Sequence, residues 1–404
     1  MASEKDLNPT SVVDTTTTSP YKARYIDIGI NLADPIFRGK YHGTQRHPDD
    51  LSAVVSRAQE VGCSKLIVTG SDFTSSRHAL EIAKEYPGTV YTTAGIHPCS
   101  SAIFSTANIH EDIDGHTMPC DPDPTATISE EHEPDLEKTT KIVSKLRTLI
   151  EDAKAETPNA LVAFGEFGLD YDRLHYCSKK IQLHSFAAQL DLVLSLKPQL
   201  PLFLHSRAAH EDFVGLLKAK FGEKLEKLEK GGVVHSFTGT VEEMRELMDL
   251  GLYIGTNGCS FKTADNCAVV KEIHLDRLML ETDGPWCEVR PSHDGYKYLI
   301  DPKPSTPAPT PDPSVAVTGE GQQAPKPAQK SKKPQKKEPD VPERWKTVKK
   351  EKWVEGAMIK GRNEPCMIER VGKIVAGIKG VSVEEVCEAA WRNTAKVFDI
   401  EDQK

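Results

Sequence analysis

Five stretches of this chain set groups able to bind a metal at the ends of apolar, β-branched runs. "GIHP" supplies His97, "GEFGLDYD" supplies Glu166 and Asp170, "HSR" supplies His205 and Arg207, "HSFTG" supplies His235, and "ETDGPW" supplies Asp283. Imidazole and carboxylate are the usual protein donors to first-row divalent cations, and Glu166, His205, His235 and Asp283 together would make a two-His, two-carboxylate metal site. A single histidine after a strand reads more simply as a satisfied core or cap residue. Four acids and imidazoles in register are a different matter. Burying each is costly unless it is paired, and one shared cation would satisfy all of them.

Such groups meet only if the strands that carry them point at one mouth. Short strand-like runs occupy 25–30, 64–69, 90–96, 160–165, 200–204, 231–234, 251–255 and 277–281. Between most of them lie helical patterns: Leu51, Val54, Val55, Ala58 and Val61 share one face, as do Ile181, Leu190, Val193 and Leu194, and Val241, Met244, Leu247 and Met248. Strands alternating with helices in this way predict an α/β fold, a TIM-like (β/α)8 barrel whose chemistry sits at the C-terminal strand ends. A doubly wound open sheet would want a Gly-rich loop after its first strand, and "GINLADP" is not one. Ser382 followed by Glu385 is a capping box that opens a last helix, with Val383, Val386, Ala390 and Val397 on one side.

The 404 residues carry 51 Lys plus Arg against 60 Asp plus Glu, a net charge of −9. That balance excludes general affinity for DNA or an anionic membrane, so any nucleic-acid contact must be local. Residues 1–20 are expected to be a disordered tail. The remainder, 21–404, is expected to be one barrel with two solvated insertions: 105–137, with ten acidic residues and no Lys or Arg, and 301–342, with eleven of the 27 prolines and a Lys-rich end. Both could recruit other proteins, and the basic run equally suits a nuclear-localisation signal, a nucleic-acid patch or a self-repelling linker. Nine cysteines without a C-x-x-C pair, and no apolar leader or membrane span, lead to the expectation of a reduced, cytoplasmic or nuclear monomer. His42, His47 and His78 are expected to be solvated.

"DIGINL", "TAGIHP", "GEFGLDYDR", "LFLHSR", "HSFTGT", "YIGTNG", "LETDGPW" and "GRNEP", in this order, resemble the TatD family of metal-dependent deoxyribonucleases, from about Tyr25 to about Ile400. The resemblance implies hydrolysis of DNA phosphodiesters, as a 3′–5′ exonuclease on single strands, by water activated at a divalent metal, Mg²⁺ before Mn²⁺ or Zn²⁺. It implies that Glu166, His205, His235 and Asp283 hold the metal, with Glu166 and Asp283 also catalytic and His97 beside the substrate phosphate. Arg207 is placed like a phosphate clamp, and "GRNEP" would bring Arg362 and Glu364 to the mouth; on spacing alone, an Arg362–Glu364 ion pair serves equally well. Lys262 and Arg290 are further candidates for a positive groove, and Tyr171 and Trp286 for base stacking.

Two other readings stand beside the nuclease. One keeps barrel and metal but cleaves an amide or acyl bond; such amidohydrolases usually have H-x-H on strand one and a carbamylated Lys on strand four, where this chain has Gly29, Asn31 and Glu166. The other is a non-catalytic scaffold, against which a complete set of costly buried charges argues. The first strand, "YIDIGINL", resembles the D-I-G-I-N subgroup of the family. Its Asp27, Gly29 and Asn31 alternate and are expected to share the inner face, with Asn31 touching substrate or, like Asp27 and Asp170, orienting ligands from behind.

Overall fold

The computed structural model describes residues 21–107, 127, 131–300 and 341–400. The tail 1–20, most of the acidic insertion and all but the last two residues of 301–342 lie outside them. Within them, eight strands form one parallel sheet in sequence order: β1 (Tyr25–Ile30), β2 (Cys63–Val68), β3 (Val90–Ala94), β4 (Leu161–Asp170), β5 (Leu202–Arg207), β6 (Gly232–Val234), β7 (Tyr253–Thr256) and β8 (Leu278–Leu280). The sheet closes where β8 runs out: Asp283 N donates to Gly29 O and Asn31 N donates to Gly284 O, both at 2.8 Å. The result is the expected barrel.

Apolar periodicity divides the core into two. Inward-facing Ile26, Ile28, Ile67, Phe203, Val233 and Met279 fill the lumen, and Trp391, Val397 and Phe398 of the last helix (Val383–Phe398) pack against them. The larger core lies between the strands and the surrounding helices, among them α1 (Leu51–Glu60), whose Leu51, Val54, Val55 and Ala58 are buried as their spacing predicts. The capping box at Ser382 and Glu385 is formed, and it starts the last helix where the sequence placed it. The barrel is thus sealed away from its mouth, leaving the C-terminal strand ends for chemistry.

Three local expectations need correction. Period-two alternation in β1 breaks at a register shift between Asp27 and Ile30. Ile26 and Ile28 face the lumen, so Asp27 lies on the other side of the strand, stitching the seam: its Oδ1 accepts Thr282 N at 2.9 Å and Gly29 N at 3.3 Å, and its Oδ2 lies 2.5 Å from Thr282 Oγ1. His47 is buried, not solvated, and stacks on Trp353 with ring centroids 5.7 Å apart. Cys99 is disulfide-bonded, whereas Cys63, Cys177, Cys259, Cys267, Cys287, Cys366 and Cys387 are free, so the chain is not wholly reduced. The acidic insertion is pinched at its base by a bridge between Ser105 and Pro134, and Asp135 caps the helix Leu136–Glu156 that follows.

Candidate metal centre at the barrel mouth

Glu166 and Asp170 belong to β4 itself, which runs five residues past the expected end. Gly165 and Gly168, at φ of 146° and 148°, lie so close to the carbonyl oxygens of Phe203 and His205 that a Cβ would collide. Their absence of side chain lets β4 press against β5, bringing Glu166 to His205. Glu166 Oε1 then lies 2.9 Å from His205 Nδ1, 2.6 Å from His235 Nε2 and 3.3 Å from His97 Nε2. All four residues are buried.

One carboxylate oxygen cannot satisfy three imidazoles, and it is this overload that a cation would relieve. Ligand atoms of His97, Glu166 and His205 lie within 4.8 Å of one another. Although burial favours the neutral acid, His235 and His97 hold the Glu166 carboxyl well below its ordinary range. Burial likewise opposes charge on His235, but Glu166 and Glu281 hold its imidazolium well above the usual pKa. The donor set fits a divalent metal: His97, Glu166 and His205 converge, and His235 reaches the same Glu166 oxygen.

The supporting hydrogen bonds sort ligands from neighbours. Asp170 Oδ2 lies 3.0 Å from His205 Nε2 and accepts from Arg173 at 2.6 Å, while Glu166 Oε1 lies 2.9 Å from Nδ1, so the ring stands between two carboxylates and the one behind it would hold a proton on Nε2 once a metal takes Nδ1. His97 is the reverse case. Its Nδ1 accepts Cys99 N–H at 3.1 Å, so the neutral ring carries its proton on Nε2, the atom turned to Glu166. Burial lowers the His97 pKa despite Glu166, which keeps the ring neutral. A ring in this tautomer donates; proximity alone does not make it a ligand.

Asp283 stands at the rim instead of on the shared oxygen. It adopts a left-handed φ of 52°, its Oδ1 accepts Asn31 Nδ2 at 3.1 Å, and its Oδ2 accepts the Cys287 thiol at 3.2 Å. Burial, with Glu281 and Glu166 nearby and His235 opposing, pushes its pKa up to about 7. Asn31 is fully engaged: its Oδ1 accepts Thr69 Oγ1 and its Nδ2 also reaches Gly284 O, so it holds the Asp283 loop in place and has no donor left for substrate. Arg207 closes β5 with a buried Nε that has no partner among the described residues. A hydrogen bond with Cys287, offset by burial and aided by the charges of Lys262 and Arg207, brings the Cys259 thiol down to about 6, which locates both cations on that side of the mouth.

Arg362 and Glu364 lie elsewhere. Arg362 is 3 % exposed and forks onto Asp50 at 2.9 and 2.7 Å, and it also reaches Glu364 at 2.9 Å. Glu364 in turn accepts Arg57 at 2.8 Å. Between them, Asn363 donates to the carbonyls of Thr282 and Trp286 at 2.8 Å, so "GRNEP" braces the Asp283 loop from behind. Spacing in the sequence could not show this, because Asp50 and Arg57 are about three hundred residues away. Sequence reasoning also passed over Glu281, buried at the end of β8, although it ends an apolar run much as Glu166 does.

A closed parallel barrel with this His/Glu cluster at its C-terminal mouth defines a metallo-dependent hydrolase. The model of TatD related DNases matches residues 26–399, and the chain belongs to that family. A Schizosaccharomyces pombe protein named deoxyribonuclease Tat-D is 39% identical over 375 residues, covering 93% of this chain and 96% of the relative. A 3′–5′ ssDNA/RNA exonuclease TatD of Erwinia tasmaniensis is 34% identical over 263 residues, 64% of this chain and 79% of that one. A solved Saccharomyces cerevisiae structure described as an uncharacterized amidohydrolase superposes with a TM-score of 0.70 at 30% identity, covering 93% of this chain and 100% of that one. The family makes the chain a nuclease-type hydrolase, which sets aside the non-catalytic scaffold. No helix of the described residues is long and apolar enough to cross a membrane.

Proposed function

We propose that the chain is a Mg²⁺-dependent 3′–5′ exonuclease on single-stranded DNA, acting as a monomer in the cytoplasm or nucleus. The observation that carries this reading is the Glu166 oxygen shared by three imidazoles at the barrel mouth. Glu166, His205 and His235 would hold the metal and Asp283 would complete the set from the rim. A bound divalent cation supplies an acidified water and a counter-charge for the scissile phosphate. The fission yeast and Erwinia names point to the polymer and the polarity.

The chain's own groups do the rest. Asp283, with a pKa near 7, suits a general base at neutral pH. His97 Nε2–H is a fixed donor for a phosphate or leaving oxygen, and Arg207, whose buried Nε has no partner among the described residues, brings a positive charge to the developing negative one. With a 5′-labelled single-stranded oligonucleotide and Mg²⁺, products should shorten stepwise from the 3′ end, and EDTA should stop the reaction. Glu166→Gln and Asp283→Asn should each lower the rate on the order of a hundred-fold or more while the fold is retained. Undiminished digestion by either variant removes the proposed site, and immediate release of the 5′ label reverses the polarity.

A further inference from the structure

One buried carboxylate at the mouth has no task in this scheme. Glu281 Oε1 accepts Ser236 N at 2.5 Å and Asn257 Nδ2 at 3.2 Å, so that oxygen is pinned by two groups that can only donate. Its Oε2 has no hydrogen-bond partner among the described residues and lies 3.4 Å from His235 Nδ1, which is buried and likewise unpartnered among them. The strands on either side make room for this carboxylate. A Cβ on Gly29 of β1 would come within 2.5 Å of Oε2, and one on Gly255 of β7 within 3.0 Å of Oε1. On its other edge, His235 presents Nε2 to Glu166 Oε1.

Resting on the metal reading above, we infer that Glu281 is the positioning residue that fixes the tautomer of His235, and that residue 29 is glycine so that this carboxylate can stand there. When the imidazolium gives up one proton to a metal, an acceptor at Nδ1 keeps the other on that nitrogen and leaves the Nε2 lone pair facing the cluster. Asp170 does the same for His205 with the two ring nitrogens exchanged. The mouth therefore has two carboxylate–histidine pairs, one on each side of Glu166.

The pinned Oε1 gives this assignment an unusual consequence. In Glu281→Gln, Ser236 N–H and Asn257 NH₂ dictate that the amide oxygen takes the Oε1 place. The amide NH₂ then faces His235 Nδ1 and donates to it, which moves the ring proton to Nε2 and blocks ligation. In Glu281→Ala the vacated space admits water, which can accept from Nδ1. The isosteric change should be the more harmful one, the opposite of what a packing role predicts.

The test is titration of the metal-free full-length chain with Co²⁺, read by visible absorption, alongside thermal unfolding of each metal-free form. Glu281→Gln should weaken Co²⁺ affinity on the order of 10–100-fold with its unfolding temperature kept, and Glu281→Ala should weaken it less. Gly29→Ala, which pushes on Oε2 without touching a ligand, should weaken it too, and should add nothing in the Glu281→Ala background. A Gln variant that binds within about twofold of wild type, or more tightly than the Ala variant, overturns the assignment. So does a full Gly29→Ala effect in the Glu281→Ala background. If an alanine variant does not fold, the Gln variant against wild type decides alone; if the Gln variant does not fold, Gly29→Ala against wild type decides, and undiminished binding there overturns it. Wild-type protein that takes up no Co²⁺ overturns the metal reading itself, and is seen before any variant is made.

Discussion

Replacing Arg362 with methionine separates two roles for the "GRNEP" segment, substrate contact and internal brace. The guanidinium is shared by Asp50 and Glu364, with Arg57 on the far side of Glu364, so two cations face two anions in a nearly dry site. Methionine retains much of the volume but leaves two carboxylates to one guanidinium, and Asp50 loses both of its charged hydrogen bonds. Breaking a buried ion pair by removing one partner costs about 3–5 kcal/mol, because a charge is left without compensation. At roughly 2–4 °C per kcal/mol for a large domain, the melting temperature should fall by about 6–20 °C. Circular dichroism would read that loss, and kinetics on a single-stranded oligonucleotide at 20 °C or below should show KM within about twofold of wild type, since ion pairs behind the site give no uniform substrate binding. An unchanged melting temperature together with a KM raised roughly tenfold or more would place the guanidinium in the substrate groove and refute the brace.

Asp27 gives a pH signature. Burial pushes its carboxyl from 3.8 to about 8 against the bonds from Thr282. Between those values the native state keeps a proton that the unfolded chain has lost, so Asp27 contributes stability that is lost as pH rises; urea unfolding should show a decline from about pH 5 to 8, flattened in Asp27→Asn, whose amide can donate to Thr282 Oγ1. An unaltered slope in that variant would assign the decline to another group. Trp286, 39 % exposed on the loop that carries Asp283, offers a stacking face; at about 1–3 kcal/mol per base, Trp286→Ala should raise KM for single strands roughly five- to a hundred-fold and leave kcat nearly unchanged. Equal KM values would remove it from the groove. Metal loading should release protons, because the His235 imidazolium must deprotonate to ligate; calorimetry in buffers of different ionisation enthalpy measures this, and a buffer-independent heat would contradict it.

The barrel was legible because its signals are local and repeated. Each of the eight strands is a short apolar run with its own punctuation, and the residues after those runs named His97, Glu166, His205 and His235 without any knowledge of distance. What failed was period and partnership. Counting by twos from Asp27 puts it on the face of Gly29, but one register shift turns Asp27 to the seam, and no residue type announces such a shift. The family pattern puts Arg362 and Glu364 at the mouth, whereas the Asp50 and Arg57 that hold them behind it lie about three hundred residues away in the chain, where no local spacing could point to them.

The glycine at 29 belongs with these failures, and it shows what a single sequence conceals. Read along the strand, Gly29 is a weak point, a place where a side chain is missing. Read across the seam, its empty Cβ position is where Glu281 stands, 3.4 Å from His235 Nδ1. The two readings differ in what they predict for Gly29→Ala. A weak strand would be stabilised by alanine, since the unfolded chain loses freedom. A slot filled by a buried carboxylate would not be, and the cost should vanish when Glu281 is shortened, so the sign of that one change in the two backgrounds tells which account of the first strand is right.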